Sequence, residues 1–99
     1  MKKYGIKYHP KVKEDIKSLD RQTKEKIKKA IEEKLTAEPL IYGERLKGTL
    51  RDLWKLRAGS YRVIYIVEDD TVYILGILHR REAYRNVSVE DLLRRLMGT

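Results

Sequence analysis

The first half of the chain shows one alternating segment followed by two helical ones. Apolar and polar residues alternate over 4–8, which predicts a short strand that stops before Pro10. Apolar residues at three- and four-residue spacing then predict a helix near 10–19 and a second helix that ends at Pro39. Asp20 is suited to cap the second helix. Because almost no loop separates the two helices, we expect an antiparallel helical hairpin.

The second half predicts three strands and a final helix. The strand-forming residues occupy three runs, near 51–58, 60–68 and 71–79. Tight turns between these runs, the first at Gly59, predict an antiparallel meander. An irregular link over 40–50 precedes the meander. An amphipathic segment near 88–97 follows it and opens with a capping box formed by Ser88 and Asp91.

The element order β-α-α-β-β-β-α indicates an α+β fold in one domain over residues 1–99. We expect a small, mostly antiparallel sheet with the helical hairpin on one face and a C-terminal helix. A chain of 99 residues with 41% hydrophobic content supports one modest core and no second domain.

Strand phase separates the apolar side chains from the cationic ones. Lys55 and Arg57 project from the strand face opposite Trp54. Arg62 begins the next strand, and Arg80–Arg81 leave the end of the third. A guanidinium stays charged and must be solvated or paired, so several of them on one sheet form a cationic surface. Such a surface is typical of phosphate recognition.

The positive charge is high and unevenly distributed. The formal net charge is +8, with eleven of thirteen lysines before residue 43 and nine of ten arginines after it. The lysines alternate with glutamates, as on a solvated helix face, whereas the arginines lie among strand formers. The net charge indicates a nucleic acid or an acidic protein as partner.

Composition also excludes several classes of protein. The absence of cysteine excludes disulfides, thiolate zinc sites and cysteine nucleophiles, and two histidines are too few to suggest a metal site. We therefore predict no metal and no cofactor. No apolar run approaches the ~20 residues that span a bilayer, and the lysine-rich start lacks a signal core. We expect no membrane partner and a cytoplasmic location.

Cleavage of RNA is one use for such a set of cations. The reaction needs the 2′-hydroxyl deprotonated, the leaving oxygen protonated and the phosphate charge stabilised. Arginines meet the last need, and a lysine crowded by cations or a tyrosine such as Tyr84 can transfer protons. The charge pattern alone favours a simple binding patch over catalysis. His79 is interpreted as a strand-end histidine that is hydrogen-bonded to the backbone.

Three segments resemble the RelE/ParE superfamily of toxin–antitoxin toxins. They are P-L-I-Y-G-E-R-L-K-G, L-W-K-L-R-A-G-S-Y-R-V-I-Y and I-L-H-R-R-E-A-Y. Within the superfamily the chain looks like the RelE side, whose members are metal-independent endoribonucleases that cut mRNA in the ribosomal A site by 2′-hydroxyl attack. The resemblance therefore implies the ribosome, mRNA and a RelB-like cognate antitoxin as partners.

The resemblance also implies roles for individual residues. Arg62 matches an arginine that contacts the scissile phosphate, Arg81 a second essential arginine, and Tyr84 a tyrosine that orients the base or activates the 2′-hydroxyl. Lys55 matches one of two strand lysines, but Leu53 stands at the other position, so no general base is assigned. The substrate-binding candidates are Arg57, Lys47, Arg45, Arg80 and His79.

Two further readings stay open on the same fold. A ParE-like toxin inhibits DNA gyrase by binding protein and cuts nothing. A degenerate member keeps only antitoxin and operator binding. The pair Arg80–Arg81 and Tyr84 favour the nuclease.

Overall fold

The computed structural model describes residues 3–46, 53–82 and 86–98, with the side chains of the last segment from 90 to 97. Five strands and four helices occur in this part of the chain. In chain order they are β1 (Gly5–Tyr8), α1 (Val12–Ile16), α2 (Arg21–Ala30, continued by a π-helical turn over Ile31–Leu35), α3 (Pro39–Tyr42), β2 (Glu44–Arg45), β3 (Trp54–Ala58), β4 (Tyr61–Glu68), β5 (Thr71–His79) and α4 (Asn86–Gly98).

The strands form one sheet in the order β1-β5-β4-β3-β2. The meander β3-β4-β5 is antiparallel, as predicted, and β1 pairs in parallel with β5, with Ile6 opposite Val72. The predicted irregular link contains two short elements that hydrophobic periodicity did not indicate. These are α3, which has Pro39 in its first turn, and β2, which pairs with β3 as an edge strand.

The helical hairpin packs on one face of the sheet. The shared core contains apolar residues of α1 and α2 together with every second residue of the strands. Its buried members are Val12, Ile27, Ile31, Leu35, Leu56, Ala58, Val63, Tyr65, Val72, Ile74 and Ile77. The first helix is shorter than predicted, since regular α-helix covers only Val12–Ile16. The predicted cap of α2 is confirmed: Asp20 Oδ1 accepts a hydrogen bond from the Thr23 amide at 2.7 Å. Hydrogen bonding to the Thr23 side chain, and then to its amide, lowers the pKa of the Asp20 carboxyl.

The C-terminal helix packs on the opposite face. Leu92 of α4 joins Leu53, Ile64 and Leu75 in a second buried cluster. The start of this helix differs from the prediction. It begins at Asn86, so Ser88 lies inside the helix and is not its N-cap. The sheet is thus covered on both sides, which explains why β5 is apolar on both faces. None of the described helices is long and apolar enough to cross a membrane.

Candidate nucleic-acid interface

The turn between β3 and β4 organises the cationic end of the sheet. Gly59 has a φ of 64° and occupies the first central position of a two-residue hairpin turn. A positive φ at that position is typical of glycine and keeps the strands close enough to pair up to Ala58 and Tyr61. The side chains of the last strand positions are therefore held in a fixed register at this end.

Arg57 and Arg62 lie directly opposite each other on β3 and β4. Like charges at facing positions of an antiparallel pair are destabilising. Among the described residues, the charge of Arg57 is offset only by an exposed ion pair with Glu44 at 3.9 Å. Such an exposed pair contributes little to stability. An arrangement that costs stability in this way favours a function for the pair.

Arg62 is held against the turn. Its Nη1 donates hydrogen bonds to the carbonyl oxygens of Gly59 at 3.1 Å and Tyr61 at 3.0 Å. The residue is only 8% exposed, and its Nε is buried without a hydrogen-bond partner among the described residues. A buried, unpaired donor on a charged group is costly and requires an explanation. Arg62 therefore stiffens the turn and keeps one donor unused.

The segment after β5 folds back onto the same turn. The Arg80 amide donates to the Ser60 carbonyl at 2.7 Å, and the Arg81 amide donates to His79 Nδ1 at 3.2 Å. The His79 ring also contacts Tyr61 edge-on, with 5.4 Å between ring centroids. His79 is bound to the backbone, as its sequence context predicted.

The structure thus brings four arginines to one end of the sheet. We call this group the arginine cluster; its members are Arg57, Arg62, Arg80 and Arg81. Three of them are exposed at their side chains and Arg62 is buried. Exposed guanidinium groups around a rigid turn suit multidentate contact with phosphate oxygens.

Lys55 lies on the same strand face as Arg57 but is much less exposed to solvent. It is 8% exposed, whereas the Arg57 side chain is 59% exposed. Leu53, at the position where the sequence resemblance implies a lysine, is fully buried against α4 in the second core cluster. That position contributes packing here and no proton transfer.

Arg45 does not join the arginine cluster. It pairs with Trp54 at the other end of β3 from the turn, and its guanidinium lies 5.8 Å from the centre of the Trp54 ring. Four residues of extended strand separate Trp54 from Ala58, about 13 Å. Lys47 and Tyr84 lie outside the described residues.

One cation near the turn was not predicted from the sequence. Lys26 of α2 reaches Gly59 from the hairpin side of the sheet, with its Nζ 3.6 Å from the point that a Cβ there would occupy. The alternation of lysine and glutamate along α2 indicated only a solvated face. No local pattern distinguishes Lys26 from its neighbours, because the contact joins residues 33 positions apart.

A match to a protein-family model assigns the chain to a family. The model, described as ParE toxin of type II toxin-antitoxin system, parDE, matches residues 6–84. The chain belongs to this toxin family. Its membership of the RelE/ParE superfamily, implied by the sequence resemblance, is confirmed.

A characterised relative supports the same placement over a shorter stretch. Toxin RelG of Mycobacterium tuberculosis is 40% identical over 53 residues, which are 52% of this chain and 61% of RelG. The match therefore spans less than two thirds of the length of RelG.

Solved structures match the fold over most of the chain. The RelBE2 toxin–antitoxin complex of M. tuberculosis aligns with a TM-score of 0.72 and 28% identity, covering 79% of this chain and 99% of that one. A mutant Escherichia coli toxin RelE in the free state aligns with a TM-score of 0.69 and 20% identity over 96% and 99% of the two chains. The RelB–RelE complex of Methanococcus jannaschii aligns with a TM-score of 0.61 and 24% identity, covering 79% of this chain and 94% of that one. The last two show the fold alone, which confirms the predicted α+β architecture.

Proposed function

We propose that this toxin is a ribosome-dependent endoribonuclease that cleaves mRNA in the A site. The observation that supports the proposal best is the arginine cluster, in which facing Arg57 and Arg62 are joined by Arg80 and Arg81 around one rigid turn. Cations assembled at a cost to stability need an anionic ligand, and an RNA backbone supplies phosphates at regular intervals.

In the proposed reaction the 2′-hydroxyl attacks the adjacent phosphorus and the 5′-oxygen leaves. The negative charge on the phosphate rises in the transition state, and guanidinium groups placed beforehand stabilise it without reorganisation. Arg57 and Arg81, both exposed, meet the phosphate first. Arg62 is bound to the turn between them and contributes its positive charge from a buried position. Its Nε–H has no partner among the described residues and could donate to a phosphate oxygen once the atoms that bury it move aside.

Proton transfer is assigned to Tyr84 and Lys55 in this proposal. Lys55 lies on the strand face of Arg57 and Arg62, two residues from Arg57 along β3. In this proposal Lys55 is the amine that takes part in proton transfer beside these arginines. Tyr84 follows Arg81 by three residues and serves as the orienting or proton-transferring hydroxyl.

Programmed ribosomes test the proposal directly. Wild-type protein is added to ribosomes that hold a defined codon in the A site, and primer extension locates new mRNA ends. Ends at the A-site codon are expected within minutes, whereas the same mRNA without ribosomes stays intact. Intact mRNA on the ribosomes under all conditions would sink the nuclease.

The site residues are tested with four variants in the same assay. Arg62→Ala, Arg81→Ala and Tyr84→Phe are expected to lower the single-turnover cleavage rate by about 100-fold, the effect of losing one transition-state donor. Arg57→Gln serves where Arg62→Ala fails to fold, since Arg57 is exposed. Arg94→Gln removes an exposed arginine of α4 and is the matched control. Wild-type rates in all site variants would remove this mechanism.

A second function is supported by the family model, which describes ParE toxins. In that case the arginine cluster binds an acidic surface of DNA gyrase and no RNA is cut. Supercoiling assays with purified gyrase separate the two. Inhibition of supercoiling together with intact A-site mRNA would favour the ParE-like function.

We further propose a cognate antitoxin as the partner that keeps the toxin inactive. Two of the similar structures, those from M. tuberculosis and M. jannaschii, are toxin–antitoxin complexes. The net charge of +8 fits an antitoxin that is acidic where it meets the arginine cluster. The proposed activity requires ribosomes, so we place the protein in the cytoplasm.

A further inference from the structure

Lys26 extends from α2 to the backbone of the β3–β4 turn. Its Nζ, Cε and Cδ lie 3.6, 3.8 and 3.9 Å from the position of a Cβ at Gly59. The positive φ at that position disfavours any side chain, so the space beside the turn is left to the lysine. The ammonium group is therefore placed at the turn by α2 and not by the sheet.

The position of Lys26 complements that of the arginine cluster. Gly59 accepts a hydrogen bond from Arg62 through its carbonyl, and the adjacent Ser60 accepts one from the Arg80 amide. Arg57 and Arg62 project on the α4 side of the sheet, whereas Lys26 approaches from the hairpin side, next to the buried Ile27. Cations thus lie on both sides of the same sheet end.

Lys26 also differs from the lysines that follow it on α2. Lys28 pairs with Glu32 at 3.9 Å and Lys29 with Glu33 at 4.0 Å, both at i,i+4 spacing. Lys26 forms no ion pair within 4.0 Å in the part of the chain that the structure describes. Lys26 thus adds an exposed positive charge to an end of the sheet where the exposed pair of Arg57 with Glu44 offsets little of the charge, and the added charge is repulsive unless an anion binds.

We propose that Lys26 is a further phosphate-binding residue, which holds the RNA backbone where it passes around the end of the sheet to the hairpin side. The phosphate it binds is a neighbour of the one held by the arginine cluster. This inference rests on the proposed function in taking RNA as the ligand. A lysine suits the role because its ammonium is a point charge that needs no bidentate geometry.

Binding of a fluorescent single-stranded RNA 12-mer to the full chain, measured by anisotropy over a KCl series, tests the inference. Lys26→Gln is expected to weaken binding about 5-fold near 0.1 M salt and to reduce the slope of log K against log salt by about 0.7, the value for one phosphate contact. Lys28→Gln is the matched control, because it removes the same charge from the opposite side of α2. It is expected to leave the slope unchanged. Lys26→Arg is expected to restore both affinity and slope.

The outcomes separate this inference from the proposed function. Equal effects of Lys26→Gln and Lys28→Gln would overturn the inference, because only the total charge would then matter. A wild-type protein that binds no RNA would also overturn it. Cleavage on programmed ribosomes is measured on the same samples. If Lys26→Gln weakens RNA binding but the wild-type protein cuts no mRNA, the proposed nuclease activity is wrong and the phosphate contact at Lys26 is still supported.

Discussion

At the scale of single residues, burial distinguishes side chains that look alike in the sequence. Lys55 and Arg57 occupy equivalent strand positions, yet Lys55 is covered and Arg57 is open. Tyr61 and Tyr65 of β4 both pack on the core under the helical hairpin, yet only Tyr65 of the two is completely buried, with its hydroxyl donating to the Pro39 carbonyl at 2.6 Å. Strand phase predicts on which face of the sheet a side chain lies, but its exposure depends on which other elements pack against that face.

Tyr65→Phe is expected to destabilise the protein by about 1–3 kcal/mol, because the buried Pro39 carbonyl loses its donor. Urea denaturation at pH 7 measures the difference. Phenylalanine keeps the ring packing, so the loss reports the hydrogen bond. An unchanged free energy of unfolding would show that the hydroxyl contributes nothing to stability.

The same variant tests the pH dependence of stability. Burial raises the pKa of the Tyr65 hydroxyl above its ordinary value of 10.0. The folded state therefore favours the neutral phenol, and this contribution is complete below pH 10 and lost as the pH rises further, when the unfolded chain ionises first. The free energy of unfolding of the wild type should fall more steeply than that of Tyr65→Phe between pH 9.5 and 11. Parallel curves for the two proteins would contradict the assignment.

At the scale of elements, one buried ion pair fastens α4 to the rest of the fold. Arg95 of α4 and Asp15 of α1 form two hydrogen bonds, Nη1–Oδ2 at 2.8 Å and Nη2–Oδ1 at 2.9 Å, with both side chains 9% exposed. This contact raises the pKa of the Arg95 guanidinium. Arg95 also donates to the Leu75 carbonyl, and Asp15 accepts from the Ile77 amide. The pair thus joins both helices to β5.

Close packing at β5 supports the same attachment. A Cβ at Gly76 would clash with Leu92 Cδ2, so the absence of a side chain there lets α4 approach the strand. The helix and the ion pair therefore depend on each other for their position over the second core cluster.

Asp15→Asn is expected to cost about 3 kcal/mol, because it removes the buried counter-ion of Arg95 and leaves only the half-exposed Asp91 carboxylate, 3.3 Å away. Urea denaturation measures the total, and amide hydrogen exchange is expected to show the largest loss of protection in α4. The exposed pair between Arg94 and Glu90 provides the control. Glu90→Gln should change stability by less than about 0.5 kcal/mol. Similar losses in both variants would argue against a special role for the buried pair.

At the scale of the whole molecule, five of the cationic residues lie at one end of the sheet. The arginine cluster and Lys26 gather around the β3–β4 turn from both faces. The far turn, by contrast, carries Glu68, Asp69 and Asp70. In the proposed function, this difference in charge between the two ends orients the RNA before contact.

RNA affinity of the wild type is therefore expected to depend steeply on salt. With about five phosphate contacts at roughly 0.7 each, the slope of log K against log salt should be near −3.5. The anisotropy series measures it directly. A slope near zero would mean that the cationic end does not bind a phosphate backbone.

Much of the architecture could be predicted from the sequence because its causes are local. Two-residue periodicity, the glycine turn and the Asp20 cap each act within a few residues, so the meander and the start of α2 agree with the structure. The short elements α3 and β2 were missed because four and two residues are too few to show a period. Strand phase and the strand ends predicted the four arginines as part of a larger cationic set with Lys55 and Tyr84; Lys55 is buried and Tyr84 lies outside the described residues.

The sequence by itself thus determined the order of the longer elements, the faces of the strands and the candidate arginines. Only the tertiary structure decided that β1 lies beside β5, that Lys55 is covered, that Arg95 pairs with Asp15 and that Lys26 reaches Gly59. Each of these depends on packing between segments far apart in the chain. Local propensity carries no information about such contacts, because they form only when the helices settle on the two faces of the sheet.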